Sequence, residues 1–352
     1  MTWTDRLRAD PLPWLLDADT PAVRAAALTR LLDRPDDDPE VVQARRAAMG
    51  CDPIRAILDS QEPEGYWEKA GPGYSPKYRS TVWQVIFLDQ LGADPTEPRI
   101  RLACGYVLTH TQAASGGLGS SGVRDELAPP PSRVIHCLNG NLLRALIGFG
   151  WLDDPRVQAS VDWAARAITG ESVDRYFASG TSGPGFACGA NGGRPCAWGA
   201  VKELLALARI PVPRRSPLVA RAVEQGVDFL LSRDPAVADY PMPARDSKPS
   251  SSWFKLGFPS GYVTDVLQNL QALAELGQAG DPRLARAVDW VLQQQDAHGR
   301  WHNRYAYNGK TTVDVEHQGD PSKWVTLRAC TLLKAVDEAG DRSERSDLNQ
   351  PV

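Results

Sequence analysis

The chain has 352 residues, 42% of them hydrophobic, with 11 Trp and a formal net charge of −4. A chain this long hides roughly 75% of its unfolded surface on folding, and its apolar content excludes a disordered protein. Lys+Arg (39) nearly balances Asp+Glu (43), which leaves no electrostatic footprint for nucleic acid. Residues 1–8 lack the apolar core of a signal peptide, and no apolar run approaches the ~20 residues that span a bilayer. The six Cys are spaced without a disulfide framework. Together these features read as a soluble cytoplasmic protein whose partner is a small molecule.

In chain order, residues 20–33 and 39–49 predict a helix pair of the HEAT type. The acidic run Asp36-Asp37-Asp38-Pro39-Glu40 between them formally matches a metal-binding Asp-Asp-x-x-Glu pattern. At a helix junction such a run reads instead as a solvated turn and N-cap. Beyond it an amphipathic helix alternates with a more continuously apolar one. The amphipathic stripes lead into Tyr106, Trp163, Phe229 and Trp290, at separations of 57, 66 and 61 residues. Pro98, Pro155 and Pro282 sit where a first helical turn tolerates proline. The apolar helices are expected at 81–91, 134–149, 196–208, 264–276 and 323–336, and Gly92, Gly150 and Gly277 end three of them.

A helix apolar around most of its circumference is buried on several sides. With the N-terminal pair counted, six helix pairs predict an all-α fold, an (α/α)6 toroid with the apolar helices inside. The division expected is 1–50 as a helix pair packed on the toroid, 51–338 as the toroid, and 339–352 as a disordered polar tail. The long connections 170–195 and 232–261 open on the end where the inner helices begin, and the functional site is expected there.

A second repeat reads Gln, three residues, Gly, one residue, then Trp or Leu. It occurs at Gln61–Gly65–Trp67, Gln112–Gly116–Leu118 and Gln295–Gly299–Trp301. The segments 61–67 and 294–301 resemble the QW repeats of the squalene-cyclase and protein prenyltransferase superfamily of α/α toroids. Cys-Leu-Asn-Gly-Asn (137–141), Gly-Phe-Pro (257–259) with Thr264-Asp265, and Pro-Ser-Lys-Trp-Val-Thr-Leu (321–327) are similar to a bacterial branch of that superfamily without a settled activity. The resemblance covers residues 52–336. It implies that the motif Gln and Trp tie neighbouring outer helices together. The Asp-x-Asp-Asp motif by which squalene-type cyclases protonate their substrate has no match here.

The resemblance implies a terpenoid-cyclase-like enzyme that starts cyclisation of an apolar isoprenoid with an acid. Asp265, near the start of an inner helix, is the candidate proton donor, since desolvation favours a neutral carboxyl. An N-cap role is the competing assignment. Trp83, Trp198, Phe258, Tyr262 and Trp324 gather at the inner helix starts as candidate substrate-binding rings that would stabilise a cation. Aligned on their C-terminal ends, three inner helices place Cys137, Cys196 and Thr264-Asp265 at one level, with His136 beside the first. Two Cys with a carboxylate or imidazole suit a catalytic Zn²⁺, as in the lanthionine cyclases and prenyltransferases, so zinc is the candidate cofactor; small core residues are the alternative. Other readings are a glycan-processing toroid using carboxylates such as Glu126, Asp174, Asp246 and Glu316, and a non-catalytic lipid-binding toroid.

Overall fold

A computed structural model describes residues 2–120, 129, 133–172, 182–237, 240 and 250–348. The helices are α1 (Leu12–Leu15), α2 (Pro21–Arg30), α3 (Pro39–Met49), α4 (Ile54–Asp59), α5 (Thr81–Gln90) and α6 (Pro98–His110). They continue with α7 (His136–Gly148), α8 (Pro155–Thr169), α9 (Ala197–Ala208), α10 (Pro217–Leu231), α11 (Val266–Glu275), α12 (Ala285–Gln293) and α13 (Lys323–Leu348). Two short strands, β1 (Ser182–Gly183) and β2 (Ala187–Cys188), pair antiparallel in the loop before α9.

Side-chain caps set where these helices start. Asp38, Glu97, Asp154, Ser216 and Asp265 each accept a backbone N–H in the first turn of α3, α6, α8, α10 and α11. Asp38 is thus the N-cap of α3, and Asp36 pairs with Arg45 at 2.5 Å, which accounts for the acidic run.

Successive inner helices α5, α7, α9, α11, α13 and α2 pack side by side, and α3 and α4 lead from α2 back to α5. The apolar helices are the inner ones: residues 81–88 of α5 are all buried. The fold is the all-α toroid that the repeat predicts. Its contacts are tightest between α7 and α9. A Cβ on Gly140 would stand 2.4 Å from the Lys202 carbonyl carbon, so only glycine lets these two backbones meet.

The Gln-Gly-Trp motif performs the structural task expected of it. Gln61 Nε2 donates to the carbonyls of Gly65 (3.3 Å) and Arg99 (3.0 Å), the latter at the start of α6. Gln112 repeats this on Gly116 (2.8 Å) and Arg156 (2.6 Å) in α8. Gln295 has no later repeat to reach. Its Oε1 accepts instead from the Arg8 backbone at 3.0 Å, so the N-terminal segment occupies the place of the next outer helix. Trp67 and Trp301 are fully buried and donate to Ile57 and Val291 at 2.8 and 2.7 Å.

The N-terminal pair lies in the ring, as the count of six pairs expects, with α2 as the sixth inner helix. One boundary differs from expectation. The last helix runs on to Leu348, past the point where the sequence suggests a frayed tail; Lys334 holds it to Asp33 and to Glu338 one turn ahead. Among the described residues no helix is long and apolar enough to cross a membrane.

Candidate functional site: a cationic throat beneath a loop plug

The segment 256–262 runs into the ring, from Asp265 and Trp324 at the starts of α11 and α13 to Gln90 at the end of α5. Inner-helix side chains hold this segment from three directions. Gln90 of α5 exchanges two 2.7 Å bonds with the Ser260 backbone, Asn141 of α7 donates to Gly261 O (3.0 Å), and Arg328 of α13 donates to Gly257 O (3.3 Å). Asn303 and Tyr307 clamp it from the following loop. The Gly-Phe-Pro segment is therefore a plug, and the expected open aromatic mouth is packed with protein.

The five expected rings separate accordingly. Phe258 stacks on Trp324 (centroids 4.7 Å apart, planes 11° apart). Trp83 and Tyr262 lie 5.1 Å apart in a cluster with Tyr74 and Tyr78, which surrounds the Lys77 ammonium at 4.9–5.8 Å from three ring centres. Trp198 packs elsewhere against the core, in the first turn of α9.

Asp265 is 2% exposed and committed to three N–H donors. Oδ1 accepts from Gln268 N (2.8 Å), while Oδ2 accepts from Gln268 Nε2 (3.0 Å) and Gly257 N (3.2 Å). This is an N-cap that also anchors the plug, and the crevice beside it measures only about 10 Å³.

The two expected cysteines do converge. Cys196 lies near enough to Cys137 and to Cys188 of β2 for these thiols to act on one another. Cys137, together with burial, pushes the Cys196 thiol up to about 12, and Cys188 is raised by Cys196 and by burial. The His136 ring nitrogens are both engaged: Nδ1 faces Glu203 Oε1 and Nε2 faces Gly183 O, each at 3.2 Å. Among the described residues no group of three or more His, Cys, Asp or Glu could hold a metal. The donor set does not fit a catalytic zinc. Of the carboxylates considered for glycan chemistry, Glu126, Asp174 and Asp246 lie outside the described residues. Glu316 bonds to Ser322 and to the Trp324 backbone, with its pKa raised by burial.

Below the plug lies a polar cavity of about 70 Å³, to which all six inner helices contribute. At the ~10–15 Å³ that one water needs, it has room for about five. Its lining carries five cationic side chains, Arg30, Arg144, Lys202, Arg209 and Arg328, against one carboxylate, Asp89. Asp89 pairs with Arg209 at 2.6 Å. Arg144 meets Glu275 through two bonds of 3.1 and 3.2 Å. Burial disfavours the Arg144 charge, but Glu275 and Asp89 outweigh it and raise its pKa.

The remaining cations are less well compensated. Arg328 bonds only to neutral oxygens, Gln271 Oε1 (3.0 Å) and Gly257 O, and burial lowers its pKa. Lys202 is 2% exposed and donates to Gln268 Oε1; burial brings its pKa down to about 7. Arg30 reaches solvent yet is enclosed by the ring, which lowers its pKa, and its guanidinium makes no hydrogen bond or ion pair among the described residues. The cavity shares Arg30, Gln90 and Trp324 with a cleft of about 860 Å³ between α2, α3 and the α5–α6 turn.

Of this set the sequence marks Arg328 alone, as a candidate contact for a diphosphate; Arg30, Arg144, Lys202 and Arg209 are missed. The available signal was charge inside a greasy helix: Leu-Leu-Arg144-Ala-Leu, Ala-Val-Lys202-Glu-Leu-Leu and Thr-Leu-Arg328-Ala-Cys.

Fold and cavity together define an α/α toroid with a polar, positively charged lumen. The chain is similar to type II terpene cyclase MstE from Scytonema, in a form complexed with geranylgeranyl dihydroxybenzoate (15% identity, 92% of this chain and 87% of that chain, TM-score 0.44). It is also similar to an unsaturated glucuronyl hydrolase specific for heparin (11% identity, 92% and 87% of the two chains, TM-score 0.49). At these values the likeness assigns no activity to this chain. No protein-family model and no curated protein matches the sequence.

Proposed function

We propose that the toroid binds a small organic anion in the throat beneath the plug, admitted through the cleft beside α2. The observation that carries this reading is the convergence of five cations on one cavity, with Arg30 unpaired among the described residues and Arg328 bonded only to neutral groups. A partly buried guanidinium held by neutral oxygens, as Arg328 is, keeps part of its desolvation cost uncompensated, and an anionic ligand offers it and the exposed Arg30 charge-assisted, bidentate partners. The volume suits a carboxylate of three or four carbons or a phosphate; small-molecule pockets of drug size run to ~300–1,000 Å³. Titration calorimetry with pyruvate and with inorganic phosphate tests the proposal. Binding by the wild type that weakens at least tenfold in both Arg30→Gln and Arg328→Gln supports it. Absence of binding for either anion ends it.

A second reading, cyclisation of an isoprenoid, draws support from the rings Tyr78, Trp83 and Tyr262. They already face a cation, the Lys77 ammonium, and ring faces of this kind stabilise carbocations. In that reading Asp265 is the proton donor and must give up at least one N–H partner to act. Incubation with geranylgeranyl dihydroxybenzoate, analysed for isomeric products of equal mass, tests it; recovery of unchanged material alone rules it out.

A further inference from the structure

Lys202 differs in kind from the other throat cations. A guanidinium holds charge and orients anions, whereas an amine that sheds its proton becomes a nucleophile. The close α7–α9 contact at Gly140 fixes the backbone of α9 at Lys202, and the side chain lines the throat. Its Nζ has one described protein partner, Gln268 Oε1, and that amide is held in turn by Asp265. Burial most strongly disfavours a positive charge on the lysine; Asp265 opposes this in part, and Arg328 and Arg144 stand near enough to add to it. An amine set among cations inside a protein is the arrangement that activates a lysine towards carbonyl groups.

Resting on the anion-binding reading, we propose that Lys202 forms an imine with the ketone of a small 2-oxo or 3-oxo acid whose carboxylate is held by the throat arginines. The neutral Nζ donates its electron pair to the carbonyl carbon, forming the C–N bond while the carbonyl π pair moves to oxygen. Nitrogen then loses a proton and oxygen takes one, giving a carbinolamine. Protonation of its hydroxyl and departure of water leave the protonated imine. Amine, ketone and one proton thus become iminium and one water, with no oxidant or cofactor required. Arg30 and Arg328 would place the carboxylate; Gln268 would orient the amine through its Oε1.

Reductive trapping of the full-length protein tests the assignment. The protein is incubated with pyruvate and cyanoborohydride at neutral pH, digested and analysed by mass spectrometry. The expected result is one reduced adduct, on the peptide containing Lys202, that disappears in Lys202→Met and falls at least tenfold in Arg328→Gln. Lys202→Met removes a buried charge and is expected to remain folded; its melting transition and its binding of inorganic phosphate are measured alongside. An adduct spread over surface lysines, or none in a wild type that binds pyruvate by calorimetry, overturns the imine while leaving anion binding in place. Loss of pyruvate and phosphate binding together would instead remove the reading on which it rests.

Discussion

At the residue scale, burial governs the charge of the throat lysine. Lys202 enters the folded state with its pKa lowered to about 7, against ~10.4 in an unfolded chain. Between these values the unfolded chain binds more protons, so stability rises with pH across that window. Below pH 7 both states carry the charge and the full cost of burying it remains. Urea denaturation from pH 6.5 to 9.5 is expected to show wild-type stability rising relative to Lys202→Met, with a difference on the order of a few kcal/mol. Parallel curves for the two proteins would refute the buried ammonium. Residues of this kind were poorly legible in the sequence because their charge is hidden in an apolar pattern. Asp265 was legible as two alternatives, N-cap or acid, and the donors around it come from Gly257 and Gln268, close in sequence yet brought to both oxygens only by the folded plug.

At the element scale, helices and their partners were largely readable, since periodicity, caps and prolines act within a turn or two. The inner helices lie within a few residues of their expected starts, and the last one alone extends well past its expected end. The motif glutamines were readable too, because one short pattern repeats the same tie. Gln112→Ala removes a donor to each of Gly116 and Arg156, leaving Ser160 Oγ as the side-chain donor to the two carbonyls. It is expected to cost about 1–2 kcal/mol in chemical denaturation; no loss would mean that water replaces the amide without penalty. Gly116 is also fixed in place: φ is +93° and a Cβ would come within 2.7 Å of Ala159 O. The plug was not readable. Segment 256–262 owes its course to Gln90, Asn141, Asn303 and Arg328, residues up to 170 positions distant, and nothing local announces such bonds.

At the scale of the whole molecule, the ring depends on its ends meeting. Trp3 N donates to Asp337 of α13 at 3.2 Å, Arg8 bonds to Gln295, and a Cβ on Gly299 would strike Ala9 O at 2.0 Å. Deletion of residues 2–10 is therefore expected to loosen the first and last repeats together and to lower the melting temperature by about 2–4 °C for each kcal/mol lost. An unchanged transition in scanning calorimetry would show that the inner helices hold the ring without this clasp. The plug has a different consequence for traffic. The plug has made one neighbourhood the doorstep of Lys202: the cleft past Arg45, Arg46 and Thr96, which meets the throat at Arg30, Gln90 and Trp324. If anions enter there, a bulky label on that doorstep would slow arrival and departure alike.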